Sequence, residues 1–414
     1  MKKSKKIRTC RSAPEPCFFS KAKKIPMLLS PVRDQTCFRA AMQAGAKAVY
    51  FGIGELNMRL SSKGISLDEL PGIMRLACKH KIKVFITLNV IVYEHELEKV
   101  EKILKRLKKE KINGIICWDM AVIKKCKKLK IPFHVSTQAS VSNSCSVKFW
   151  ENLGAKCIVL ARECTLEQIK EIKKKAKCKI EVFCHGAMCV SVSGRCFLSQ
   201  FLHCKSANRG ECMQPCRHEY TIKGKRYKYD LKISNGYVMS PRDLCTLGIL
   251  QELVETGVDI LKIEGRGRSA EYVYAVTRAY KQALEAIAQN KYNSKLKEKL
   301  IKQVARVYNR KFSNGFLFGR PGDEAWAGTN HNQSREKKEF LGKVTNYFKK
   351  IKIAEVRLNS GDIKKGDVLQ IQGNKTGIVK IKIYKIKKHP KGEITFPCKK
   401  LVRPRDQVYK IVKN

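Results

Sequence analysis

The sequence predicts an α/β chain: a (β/α)8 TIM-like barrel carrying a cysteine-rich insertion, followed by a small C-terminal antiparallel β-barrel domain. Three observations lead there. Eight short, continuously apolar, β-branched runs alternate with amphipathic helical stretches between residues 26 and 290. Seven of the eighteen cysteines fall from Cys184 to Cys245, from the end of the seventh run onward. From Phe340 the texture changes to alternating β-rich runs with turn signals such as Gln-Gly-Asn.

Residues 1–25 form a basic tail without the apolar stretch of a secretory signal. The predicted barrel strands are 26–32, 48–53, 83–92, 114–119, 133–138, 156–162, 179–186 and 259–266. Segments such as DQTCFRAAMQAGA, SLDELPGIMRLACKHK and TLEQIKEIKKKAK read as the intervening helices. Ser66 and Thr165 stand at N-cap positions, with Glu69 and Gln168 three residues on to complete capping boxes. A doubly wound sheet has the same alternation, but no GxGxxG follows the first strand. The insertion, 186–245, comes after strand seven and therefore on the C-terminal face, where barrel enzymes build active sites. Strand eight leads into the long helix SAEYVYAVTRAYKQALEAIAQN and completes a barrel over 26–290. Residues 291–339 read as a helical and loop connector, and 340–414 as the β-barrel domain.

Hydrophobic residues make up 43% of the chain, enough for a core, and no run of eighteen apolar residues predicts a membrane helix. The expected compartment is the cytoplasm, where clustered thiols bind metal or do redox chemistry rather than form disulfides. Lysine and arginine number 86 against 36 acidic residues, a formal charge of +50. A lysine-rich background explains many lysines but not the shortage of carboxylates, so the balance points to a polyanionic partner such as RNA or DNA. Helices such as ELEKVEKILKRLKKEK are solvated faces by default, so the charge says nothing of sequence recognition.

Cys189 and Cys196 are seven apart, Cys212 and Cys216 four apart. Glycines and an Asn-Arg-Gly turn between them let the chain fold back. The spacing is looser than the Cys-x2-Cys of zinc knuckles and suits an iron–sulfur cluster at least as well. Asn89, Gln138, His185 and Glu264 fall at or near strand C-termini, facing the predicted mouth. His185 is a candidate proton carrier, and Glu264 a candidate base or arginine partner. Arg266 and Arg268 in EGRGRS and Arg242 in SPRDLC are candidate forks for carboxylates. Catalytic work is assigned to His185, Glu264 and Arg266, and substrate binding to Arg242, Arg268, Asn89 and Gln138. Neither HExxH nor GxSxG occurs, so a peptidase would need a cysteine nucleophile with His185.

The segments PMLLSPVRDQTCFRAAMQAGAKAVYFGIGELNMR, EVFCHGAMCVSVSGRCFLS, NRGECMQPCR, SPRDLC, KIEGRGRSAEYVYAV and FSNGFLFGR occur together and in order. Over most of its length the chain thereby resembles the U32 family, long described as collagenase-like peptidases. The resemblance implies a 4Fe–4S cluster and oxygen-independent or prephenate-dependent hydroxylation. The substrates of the family are tRNA wobble uridine, a cytidine of 23S rRNA, or the ubiquinone ring. In length and in its single small C-terminal domain the chain is most similar to the tRNA uridine 5-hydroxylation members. Carried over by position, the cluster ligands are Cys189, Cys196, Cys212 and Cys245, with Cys216 the alternative fourth. The implied partners are RNA, tRNA first, no membrane, and a related subunit, with prephenate as co-substrate. U32-type peptidase activity, rRNA cytidine hydroxylation and RNA binding without catalysis are the alternatives.

Overall fold

Eight parallel strands close into a cylinder. The structure, a computed structural model, describes residues 24–59, 64–221, 236–329, 331–390 and 392–414. Most of the basic tail, with Cys10 and Cys17, lies outside the described residues. Strands β1 (Met27–Pro31), β2 (Ala48–Gly52), β3 (Lys83–Thr87), β4 (Gly114–Cys117), β5 (Phe133–Val135), β6 (Cys157–Val159) and β7 (Lys179–Gly186) pair in sequence order. A short β8 (Asp243–Cys245) lies within the insertion and runs antiparallel to the end of β7. Strand β9 (Ile260–Ile263) pairs in parallel with both β7 and β1, which closes the barrel. The strands end earlier than the apolar runs that predict them: residues 88–92, 118–119, 136–138, 160–162 and 264–266 are loops at the C-terminal mouth or turns into it.

The outer helices are α1 (Gln35–Ala44), α2 (Leu70–Lys79), α3 (Leu97–Lys109), α4 (Met120–Lys128), α5 (Ser144–Asn152) and α6 (Leu166–Lys175). A short α7 (Leu198–His203) belongs to the insertion, and α8 (Leu250–Glu255), α9 (Ala270–Ala288) and α10 (Ser294–Val304) follow it. Each start has a local cause. Asp34, Asp119, Asn143 and Thr165 accept the orphan N–H groups of the first turns, and Gln168 completes the box at Thr165. The Ser66–Glu69 box also forms, although regular helix begins only at Leu70. In α3, Val100, Ile103, Leu104 and Leu107 recur at helical spacing, are buried, and leave the lysines in solvent.

Side-chain alternation divides the core in two. Leu29, Ala48, Tyr50, Phe85, Ile116, Cys157 and Ile260 point into the lumen. Val49, Phe51, Val84, Ile86, Ile158 and Leu261 point outward beneath the helices. The lumen also holds an ion pair, Lys262 Nζ to Glu181 Oε1 at 2.6 Å, with the ammonium 4.5 Å from the Tyr50 ring centroid.

After the barrel, β10 (Phe312–Ser313) pairs with β8. Strands β11 (Glu336–Phe348), β12 (Ile353–Leu358), β13 (Val368–Gly373), β14 (Gly377–Lys382), β15 (Lys387–Lys388), β16 (Glu393–Pro397) and β17 (Gln407–Lys413) form an antiparallel sheet of order β14-β13-β17-β11-β12-β16-β15. It has its own core around Val356, Leu369, Ile371 and Val408. The sheet docks on α1. The Gln43 amide donates to Thr376 O and accepts from Ile378 N–H, both at 2.9 Å, and Arg39 donates to Asn374 O at 2.7 Å. Ile378 is buried in the barrel's own outer core.

Candidate active site and metal centre

Two joined hollows open at the C-terminal mouth. The outer one, of 490 Å³, is bounded by Cys189, Cys212, Cys216, Arg33, Arg59, Arg217, Arg268 and Arg310, with Asp34 and Glu264. The inner one, of 80 Å³, descends among Tyr50, Thr87, Asn89, Gln138, Arg162, Lys262 and Arg266. Arg59, Cys189 and Glu264 line both.

The insertion is held over this mouth by specific backbone geometry. Gly186 ends β7 with φ +110°, and a Cβ there would lie 2.6 Å from Glu264 O, so glycine is required for β7 to finish against the exit of β9. Gly194 has φ +79°, and its Cβ would lie 2.6 Å from Gln138 Cγ, so the loop rests directly on the barrel rim. Two arginines then pin it. Arg209 makes a two-pronged contact with Glu96 and reaches Ile91 O, its guanidinium 4.9 Å from the Tyr93 ring centroid. Buried Arg217 donates to Met188 O and Pro241 O, both at 2.5 Å, and to Ser240 Oγ at 3.2 Å.

The insertion brings four thiols into one neighbourhood. Burial, and then the charges of Arg217, Cys189, Cys212 and Cys196, act on the half-buried Cys216 thiol, which is pushed up overall. The Cys196 backbone N–H donates to Asn208 Oδ1 at 3.0 Å, which fixes that turn. Tetrahedral zinc with bonds of about 2.3 Å would hold its four sulfurs about 3.8 Å apart. Among the described residues, one group of three or more ligand atoms falls within 4.8 Å, and it is His134, Cys157 and Glu181 in the lumen. The insertion thiols do not form such a group among the described residues. The lumen triad is an unsuitable cation site, because Glu181 already carries Lys262 and burial, then Glu181, push the Cys157 thiol well up.

Cys245 does not join the four. It lies buried on β8, 4.0 Å from Tyr280 Oη, and burial pushes its thiol up to about 11. Cys216, the alternative in the sequence reading, lines the hollow with Cys189 and Cys212. The physical reason is the antiparallel pairing of β8 with β7, which sets Cys245 opposite His185 and beneath α9.

His185 is also displaced from its expected place. A bulge between Phe183 and His185 breaks the in–out alternation of β7. The ring packs among Tyr272, Tyr280 and Phe312 instead of facing the mouth, and burial drives its pKa down to about 3. Among the described residues no histidine lines either hollow. Arg242 likewise turns away, with Nε donating to Trp326 O at 2.9 Å in the connector.

The remaining candidates do meet at the mouth. Glu264 pairs with Arg59 at 3.1 Å. Burial opposes its ionisation, but Arg59, Arg268 and Arg162 outweigh that and hold it down to about 2. It is a fixed carboxylate at neutral pH, an arginine partner rather than a base. Arg266 is buried, donates to Thr87 Oγ1 at 2.5 Å, and is lowered to about 10 by desolvation. Asn89 Oδ1 accepts from Met58 N–H at 3.3 Å, and Gln138 Oε1 accepts from Ser136 Oγ. Arg268 lies 3.6 Å from the Tyr308 ring centroid. Sequence reasoning missed Arg59, Arg162, Arg217 and Arg310. Arg162 stands two residues after Leu160 at the tip of the sixth run, a position that could have flagged it; its Nε is buried without a hydrogen-bond partner. Arg310 comes from a stretch that reads as mere connector.

Comparison with known proteins accords with this geometry. The model of peptidase family U32 matches residues 33–327. A collagenase of Porphyromonas gingivalis is 35% identical over 407 residues, covering 94% of this chain and 98% of its own. A tRNA hydroxylation protein of Bacillus subtilis is 31% identical over 362 residues, covering 84% of each chain. A 23S rRNA 5-hydroxycytidine synthase of Escherichia coli is 33% identical over 308 residues, covering 72% of this chain and 46% of its own.

Proposed function

Because the chain belongs to peptidase family U32, and four thiols stand at the mouth of its barrel over an arginine-lined hollow, we propose that it is an iron–sulfur-dependent RNA hydroxylase. The preferred reaction is prephenate-dependent 5-hydroxylation of the tRNA wobble uridine. The observation that carries the reading is that Cys189, Cys212 and Cys216 line one hollow, with Cys196 near enough to act on Cys216. These four are assigned as the ligands of a 4Fe–4S cluster. When bound, the cluster supplies electron transfer or an iron Lewis acid beside the substrate.

The chain's own residues have separable tasks. Among the described residues Arg266 makes no bond to a carboxylate, and Arg162, held by Ala187 O at 2.7 Å, has a buried Nε without a partner, so the two guanidiniums suit a small dianion with two carboxylates. Glu264, held ionised, orients Arg59 across the mouth. Asn89 and Gln138 offer polar edges in the inner hollow. The outer hollow, 490 Å³ and bounded by arginines, admits a nucleobase with its phosphate. Tyr50, whose Oη donates to Ile263 O at 2.8 Å, closes the floor. A cytoplasmic setting follows from tRNA as substrate.

The tRNA hydroxylation protein supports this reading directly, and the rRNA synthase supports the same chemistry on another RNA. The peptidase reading needs a cysteine–histidine pair, and no histidine lines the hollows among the described residues. The test has two readouts. Anaerobically purified protein should carry about four irons per chain with the visible absorption of a thiolate-bound cluster. Nucleoside mass spectrometry of tRNA and rRNA from a deletion strain should show one hydroxylated nucleoside missing. An iron-free protein under strict anaerobiosis, or an unchanged nucleoside profile, overturns the proposal.

A further inference from the structure

Three of the four thiols assigned to the cluster are followed in sequence by an exposed apolar side chain: Val190 after Cys189, Phe197 after Cys196, and Met213 after Cys212. Helix α7 adds Phe201 and Leu202. Phe201 is 83% exposed and Phe197 61% exposed, the two most exposed aromatic side chains among the described residues of the insertion. Local folding ties these residues together: Met213 N–H donates to the Ser199 hydroxyl of α7 at 3.1 Å. The insertion then reaches the rim through Arg209, whose guanidinium lies against the half-exposed ring of Tyr93.

An apolar collar is costly on a surface that otherwise carries a charge of +50. Nothing in the barrel explains it, because these side chains point away from the core. Arg195 lies among them in sequence, as do Lys205, paired with Glu211, and Arg209, paired with Glu96. Exposed rings interleaved with cations, on the lip of a hollow the size of a nucleotide, match how proteins hold unpaired bases. A base drawn into a pocket leaves its neighbours without stacking partners, and rings at the lip replace what they lose. A protein partner would bury the same collar, but RNA brings both flat apolar faces and the negative charge that complements a chain of +50 in one polymer.

We propose that the collar of Val190, Phe197, Phe201, Leu202 and Met213, flanked by Tyr93, is a stacking platform for the unpaired nucleotides beside the one that reacts. The proposal rests on the RNA reading above and narrows it. The substrate is a single-stranded loop, and duplex RNA of the same sequence is excluded.

The experiment uses the full chain, purified anaerobically. A fluorescein-labelled unpaired RNA oligonucleotide and the same sequence annealed as a duplex are titrated by anisotropy at several salt concentrations. The unpaired strand should bind more tightly. Phe201→Ala should weaken it by about 5- to 150-fold, the loss of one stacked base, with the salt dependence unchanged because no phosphate contact is removed. Phe197→Ala should act likewise, and Phe201→Trp should restore binding. Iron content and circular dichroism should match the parent, since Phe201 is in solvent. Equal affinity of the alanine variants and the parent overturns the platform while leaving RNA hydroxylation standing. Sedimentation showing a parent dimer that Phe201→Ala converts to a monomer also overturns it, since the collar is then a self-contact. Failure of the parent to bind either RNA sinks the RNA reading itself.

Discussion

Replacing Cys216 and Cys245 separately by serine distinguishes the two candidate fourth ligands. Cys245 is buried on β8, 4.0 Å from Tyr280 Oη, and that hydroxyl already donates to Cys184 O at 2.7 Å. A serine there places a hydroxyl in an apolar site with one weak neighbour, which costs about 1–2 kcal/mol. In a chain of this size that lowers the thermal midpoint by about 1–2 °C. It touches no thiol at the hollow, so iron should stay at about four per chain. Cys216 is half-buried at the mouth, so the serine itself costs the polypeptide less than about 0.5 kcal/mol. It removes one of four thiolates, however, and a serine hydroxyl is not ionised at neutral pH to replace it. Iron and acid-labile sulfide should fall well below the parent, with circular dichroism unchanged. The assay is iron and sulfide quantitation on anaerobic protein beside a thermal melt. Full iron in Cys216→Ser together with cluster loss in a folded Cys245→Ser would refute the placement.

Three other outcomes are expected. Glu264 is held near 2 against an ordinary 4.5, so its ionised form contributes up to about 3 kcal/mol of stability. That contribution is complete above pH 4.5 and is lost as pH falls toward 2; the stability gap between the parent and Glu264→Gln should close over that window, and a gap independent of pH contradicts the pairing with Arg59. Lys262→Met strands the fully buried Glu181 carboxylate and should cost about 3–5 kcal/mol by urea unfolding, whereas Lys262→Met with Glu181→Leu should recover most of it; a neutral single variant would show that the lumen pair is not charged. Arg266→Ala should weaken calorimetric binding of prephenate to the cluster-loaded protein by about 10-fold or more, and unchanged affinity would remove Arg266 from the anion site.

The barrel was legible because its strands are buried on both faces and so appear as continuous apolar runs of β-branched residues. The mouth was legible to the extent that it follows those runs: Glu264, Arg266, Asn89 and Gln138 reach it because each lies one to three residues past a strand end. His185 fails the same argument because a single bulge residue inverts facing, and no residue type in EVFCHG announces a bulge. Cys245 fails because β8 is three residues long and is defined by pairing with strands distant in sequence, which periodicity cannot register. Arg217 and Arg310 come together through loops that converge only in three dimensions.

The docking of β14 on α1 has a consequence for the order in which the chain is made. A ribosome releases β1 and α1 first, yet β1 lacks its second neighbour until β9 emerges, and Gln43 lacks its partners until Thr376 and Ile378 follow. The nascent barrel must therefore wait with an open seam and an uncovered first helix for most of translation. Strand edges left exposed in that interval invite mispairing, so a pause or a chaperone acting before residue 260 should matter more to yield than one acting later.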